Sequence, residues 1–149
     1  MTNYSEKAKA LFRQGYNCSQ ALLGAFCEEV GLDFEKALML ASPFGGGIAR
    51  LRGTCGALIA MVMIIGLKNG YTDTSDINIK AQHYAQVQSA VREFNQRTGS
   101  TQCRDLLGGD VSDSPIPTPR TEEFYASRPC ERIIGTAAEI LEERFFPQC

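Results

Sequence analysis

The sequence predicts an all-α fold, a single-domain bundle of about six to seven helices spanning residues 1–149, with a buried apolar helix at its centre. Three observations carry this expectation. No stretch alternates apolar and polar residues with a period of two, so no half-buried strand is called for. Capping residues and glycine or proline stops recur at helical intervals. The run GALIAMVMIIGL, residues 56–67, is apolar on every side, which marks a helix enclosed by others.

Each element follows from local signals. Asn3 or Ser5 caps a first helix that packs Leu11 and Phe12 and stops at Gly15. Asn17, with Gln20 three residues on, caps a second that runs to Val30 before Gly31. Asp33 caps a third through Phe34, Leu38 and Leu40, ended by Pro43. A glycine loop follows, then the apolar helix over 55–69, closed by Gly70. A long fifth helix starts near residues 74–76 and ends before Gly99, with a core-facing stripe of Ile77, Ala81, Tyr84, Val87, Val91 and Phe94. Ser100 or Thr101 caps a short sixth helix through Leu107. The segment 108–119 is a loop, because three prolines and two glycines forbid regular pairing. Pro129 suits the first turn of a last helix carrying Ile133, Ile134, Ala137, Ile140, Leu141 and Phe145, stopped by Pro147.

Composition narrows the function. Hydrophobic residues make up 44% and charged residues 21%, ordinary for a globular chain. The net charge of −2 and the scattered basic residues exclude a nucleic-acid-binding face. The N-terminus is polar and amphipathic, without a signal-peptide pattern, and the apolar run falls short of the ~20 residues of a membrane helix. The expected setting is therefore cytoplasmic, with no membrane insertion. There thiols stay reduced, and six cysteines point to metal or redox chemistry before structural disulfides.

Four of those cysteines share a position. Cys18 follows Asn17, Cys55 follows Thr54, Cys103 lies two after Thr101, and Cys130 follows Pro129. All four fall in the first turn of an expected helix, where free N–H groups and the helix dipole favour thiolate over thiol. Four such termini, brought together, would compensate a tetrathiolate iron–sulfur cluster or an all-cysteine zinc site. The same lowered pKa would serve two redox-active dithiol pairs. No C-x-x-C occurs, so any site is assembled by tertiary folding. Taken singly, each cysteine reads as a small core hydrophobe. Cys27 lies nine residues after Cys18, ~13.5 Å along the helix and half a revolution round, and is read as packing. Cys149, beyond a helix-stopping proline, is expected to be loose.

The stretches GYNCSQALL, GGGIARLRGTCGALIAMVMIIGL, TQCRDLLG and CERIIGTAAEIL together resemble the C_GCAxxG_C_C family of redox proteins, over nearly the whole chain. The resemblance implies a bacterial or archaeal, all-helical, redox-active protein whose signature cysteines match Cys18, Cys55, Cys103 and Cys130. It names no substrate or reaction. Related domains attached to cytochromes favour an electron-transfer or iron–sulfur role. One departure stands out: this chain reads Cys55-Gly56-Ala57-Leu58-Ile59-Ala60, with cysteine before glycine and alanine for the closing glycine.

Around Cys55, the glycines Gly45, Gly46 and Gly47 either let backbone approach a cofactor or make a plain tight turn. Arg50 and Arg52 either balance negative charge and receive an anionic partner, or sit on a solvated surface. His83 reads as structural, and the pairs Glu28-Glu29, Glu122-Glu123 and Glu142-Glu143 as helix surface. The leading expectation is a metal centre on the four cysteines, an iron–sulfur cluster for electron transfer. A thiol–disulfide oxidoreductase and a non-catalytic module with structural zinc are the alternatives. The expected partner is a redox protein, and a homodimer stays open.

Overall fold

The computed structural model describes residues 3–109 and 111–147. It is helical throughout, with eight α-helices and one 3-10 turn among the described residues. In order they are α1 (Tyr4–Arg13), α2 (Cys18–Phe26), α3 (Phe34–Ala41), a 3-10 turn (Ser42–Phe44), α4 (Gly56–Asn69), α5 (Ile77–Thr98), α6 (Cys103–Leu106), α7 (Glu122–Ser127) and α8 (Cys130–Arg144). The only pairing of extended backbone there is an isolated antiparallel bridge between Thr54 and Gln102. Among the described residues no helix is long and apolar enough to cross a membrane.

Most boundaries follow from caps. Asn3, Asn17, Asp33 and Asp76 each accept a hydrogen bond from the N–H three residues on. Asn17 and Gln20 close a reciprocal capping box, worth about 1 kcal/mol by the usual cost of losing a cap. Gly99, at φ 99°, ends α5 in the left-handed conformation that glycine adopts without penalty.

The core is one continuous cluster drawn chiefly from α1, α2, α4 and α8, with Ala37 and Ala41 of α3 and Ala90 and Phe94 of α5. α2 packs on α1, α3, α4 and α8, and α4 rests on α2, α5 and α8, so these two apolar helices share the centre. Phe26 of α2 is fully buried, stacked on Tyr4 with ring centroids 4.4 Å apart and tilted against Phe146 at 5.3 Å. Phe26→Ala leaves a void that this closed cluster cannot refill, and should cost about 3–5 kcal/mol in a denaturant midpoint series.

Several expectations are corrected here. α2 stops at Phe26, short of Val30, and Glu28-Glu29 lie in the turn beyond it. The stripe on α5 is only partly a core face: Ala90 and Phe94 are buried, whereas Ile77 and Tyr84 are 76% and 53% exposed. The reason is reach, since the N-terminal half of this 22-residue helix extends past the elements it packs on. Leu40 of α3 is exposed for a similar reason, because an eight-residue helix buries only Ala37 and Ala41. Glu142 is not free surface: its Oε1 accepts the N–H groups of Tyr4 at 2.7 Å and Ser5 at 3.1 Å, capping α1 from α8. Glu122-Glu123 do lie on a helix surface, that of α7, a helix capped by Thr121 for which the sequence reading sets no bounds.

Candidate functional site

Cys18, Cys103 and Cys130 are the first residues of α2, α6 and α8, and Cys55 is the N-cap of α4. The structure brings all four to one cavity of about 370 Å³. The polypeptide achieves this in two ways. Asn17 donates through Nδ2 to the Ser42 carbonyl at 3.1 Å and Gln20 through Nε2 to the Leu38 carbonyl at 3.1 Å, fixing the start of α2 against the end of α3. The Thr54–Gln102 bridge then aligns the starts of α4 and α6. The Cys55 N–H donates to the Thr101 carbonyl at 2.8 Å and the Cys103 N–H to the Gly53 carbonyl at 2.7 Å.

The loop between these parts is no plain tight turn. Gly46, Gly47, Ile48, Ala49 and Arg50 are consecutive residues with positive φ, and Arg52 is another. Residues other than glycine lose about 1–2 kcal/mol each in this region, so a run of them needs other contacts to hold it. Those contacts are long backbone bonds, from Ala49 N–H to Pro43 at 2.7 Å, Arg50 to Gly45 at 3.0 Å and Gly53 to Gly47 at 2.8 Å. Close approach explains two glycines. A Cβ at Gly47 would lie 2.6 Å from Cβ of Cys103, and one at Gly56 would lie 2.5 Å from the Phe44 carbonyl oxygen and 2.7 Å from Sγ of Cys18. Gly56, directly after Cys55, is thus what lets the α2 cysteine reach the α4 terminus.

Gly45, Gly46, Arg50 and Arg52 line the cavity, and Gly47 sits behind it against Cys103. The arginines are not a solvated surface. Arg52 is 5% exposed, donates through Nε to the Ser112 carbonyl at 3.0 Å, and turns Nη1 to Sγ of Cys103 at 3.7 Å. Arg50 donates to the Ser114 and Ile116 carbonyls and to Oγ1 of Thr118. The proline-rich segment is therefore strapped over the cavity by two guanidiniums, with Pro115 and Pro117 in its lining.

Two further arginines escaped the sequence reading. Arg120 stacks on Phe12 at 4.4 Å and Phe124 at 4.8 Å and donates to the Phe12 and Tyr16 carbonyls. Arg128 lies over the Phe124 ring at 5.1 Å. Both line the cavity, and the weak signal for Arg128 was its place two residues before Cys130. Among the described residues none of the four cavity arginines pairs with a carboxylate, and none that lines the cavity carries one.

The expectation that helix termini lower the thiol pKa values is corrected. Burial pushes Cys18, Cys55 and Cys130 up, the last to about 12. The Gly46 N–H opposes this at Cys18, those of Leu58 and Ala57 at Cys55, and the Arg128 charge at Cys130, but desolvation outweighs each. Neighbouring cysteines add to the rise, Cys18 acting on both Cys55 and Cys130. In the reduced, metal-free protein these thiols are neutral.

A pH dependence follows. An unfolded cysteine ionises near about pH 8.5, whereas folded Cys130 stays protonated up to about 12. Between these values the folded state holds the extra proton, so stability is full below the unfolded pKa and falls as pH rises. The slope is about 1.4 kcal/mol per pH unit for each such thiol. Reduced, metal-free protein should lose denaturant resistance from pH 8 to 10, and Cys130→Ser should flatten that loss.

Cys27 is 2% exposed in the core and does not line the cavity. Cys149 lies outside the described residues. His83 packs edge-on to Tyr71 at 5.8 Å, away from the cysteines, and its Nδ1 has no hydrogen-bond partner. Among the described residues no three His, Cys, Asp or Glu side chains are grouped so as to share a single metal ion.

Residues 16–144 match the family described as "Putative redox-active protein (C_GCAxxG_C_C)". The chain belongs to the C_GCAxxG_C_C family. That match spans all four cavity cysteines and the strained loop, and redox activity is the property the family's description carries. Neither a curated protein nor a solved structure matches the chain.

Proposed function

We propose that this C_GCAxxG_C_C protein holds a redox-active iron–sulfur cluster on Cys18, Cys55, Cys103 and Cys130 and transfers electrons through it. The observation that carries the reading is one cavity lined by four thiols from four helix starts, ringed by arginines and with no carboxylate among its described lining residues. The donor set fits, since iron–sulfur clusters are held by cysteine thiolates. A cluster asks the sulfurs to surround a volume, whereas a single zinc needs all of them at one point. Burial that keeps the free thiols neutral is reversed when a cation replaces the proton.

The cluster would supply one-electron transfer, and the rest is the work of this chain. Phe12, Phe124 and Ile133 line the cavity with apolar surface and limit water. The Gly46 N–H faces the Cys18 sulfur, and Arg52 donates to that of Cys103. Hydrogen bonds and positive charge at the sulfurs favour the more reduced, more negative state and so raise a potential.

A second reading rests on the Thr54–Gln102 bridge, which sets Cys55 and Cys103 on adjoining backbone and so suits a reversible dithiol. Raised thiol pKa values weigh against rapid exchange at neutral pH. Anaerobic purification with an absorption spectrum and iron, sulfide and zinc analysis separates the readings. Visible charge-transfer bands with iron and sulfide support the cluster. Stoichiometric zinc, or metal-free protein whose thiols oxidise reversibly in pairs, overturns it.

A further inference from the structure

Positive charge is the unexplained feature of the cavity. Four guanidiniums line it, and no carboxylate among the described lining residues answers them. Arg120 has structural work, held by two backbone carbonyls and three aromatic rings. The other three line the same cavity. Burial lowers the pKa of Arg50, and the like charges of Arg52 and Arg128 add to the effect. Arg128 carries its charge on one ring face, with no hydrogen-bond acceptor for its guanidinium among the described residues.

A charge cluster of one sign, set in a partly dry cavity, is costly unless an anion completes it. The proposed cluster does not exhaust it. The starts of α2, α4 and α8 each contribute roughly half a positive charge toward four thiolates around a cationic core, which leaves the guanidiniums in surplus. The cavity volume of about 370 Å³ also falls within the range of small-molecule sites. Guanidiniums offer forked donors that match oxygen anions in geometry as well as charge.

We propose that the cavity binds a small oxyanion, inorganic or carried on a small molecule, beside the four cysteines, with Arg50, Arg52 and Arg128 as its recognition set. This rests on the same cavity being the redox site, and it identifies the chemical class of what that site meets. The strap over residues 111–119 belongs to the recognition set through the Arg50 and Arg52 bonds to its carbonyls, so an anion drawing those guanidiniums inward pulls directly on the strap.

The test uses the full chain purified anaerobically, in a low-salt buffer free of phosphate. Sulfate, phosphate and succinate are each titrated by calorimetry against chloride at matched ionic strength, and iron and sulfide are measured on the same sample. Saturable uptake at one site is expected for at least one oxyanion. Inorganic anions alone would mark a free ion as the guest, and succinate a carboxylate-bearing molecule. Arg128→Gln should weaken uptake tenfold or more, while Lys80→Gln on α5 should leave it unchanged. Arg128 makes only a ring contact and a long-range charge interaction, so its variant is expected to fold, with circular dichroism as the check. Arg50→Gln provides an independent second variant. No saturable uptake beyond chloride, equal uptake by wild type and both arginine variants, or uptake lost on iron loading overturns the proposal. The two readings fail separately. Iron-free protein that takes up the oxyanion through Arg128 defeats the cluster and keeps this inference. Iron-loaded protein that does not take it up does the reverse.

Discussion

Cys55→Ser is expected to abolish the cavity's redox response altogether, whereas Cys27→Ser leaves it intact. Cys55 is 6% exposed, stands at the N-cap of α4, and has the Leu58 and Ala57 N–H groups directed at its sulfur. Serine at that point keeps the volume but replaces the thiolate ligand with a hydroxyl that stays protonated at neutral pH. Cys27 packs in the core at the end of α2, where serine costs about 1–3 kcal/mol for a buried hydroxyl without changing the cavity. Iron, sulfide and visible absorption, or reversible thiol titre for the dithiol reading, check the pair after circular dichroism confirms folding. The same loss is expected at Cys18, Cys103 and Cys130. Equal damage from Cys27→Ser in a folded protein would sink the partition of the cysteines.

Gly56→Ala should destabilise the protein by about 1–3 kcal/mol and unseat Cys18, although alanine is the better helix former. Two effects compete. Replacing a helical glycine by alanine gains up to about 1 kcal/mol. Against this, the new methyl would meet the Phe44 carbonyl oxygen at 2.5 Å and the Cys18 sulfur at 2.7 Å, and the first of these is backbone that cannot swing aside. The clash wins. Gly66 in the same helix provides the control, because nothing lies within 4 Å of a Cβ placed there. Gly66→Ala should therefore stabilise by up to about 1 kcal/mol. Denaturant midpoints for the two variants are expected to move in opposite directions, with faster alkylation of Cys18 in Gly56→Ala alone. A neutral Gly56→Ala would mean that the 3-10 turn at Ser42–Phe44 yields easily.

The placement of the cysteines was legible because it is a local matter. Asn17 before Cys18 and Pro129 before Cys130 mark helix starts whatever the rest of the chain does, and the structure starts helices there. The α4 run and the caps at Asp33 and Asp76 were legible on the same ground. The bounds of α7 were not legible because its six residues carry too few turns for a periodic pattern, leaving only the Thr121 cap as a signal. The exposed half of α5 was misread because a periodic stripe indicates a face and not what covers it. Arg120 and Arg128 were passed over as scattered surface charges, since nothing local distinguishes an arginine facing water from one facing a cavity.

By itself the sequence determined the all-helical class, most helix starts, the buried apolar helix α4, and the presence of four cysteines at helix N-termini. These depend on hydrogen bonds and periodicities within about four residues, which any folded context must satisfy. Only the tertiary structure decided that the four cysteines share one cavity, that Arg50 and Arg52 clasp the proline-rich strap, and that Arg120 and Arg128 complete the ring. It also reversed the expected protonation of the thiols. A helix start acts on its own first turn, whereas desolvation depends on every element packed around the sulfur, and at Cys18, Cys55 and Cys130 that surrounding mass prevails.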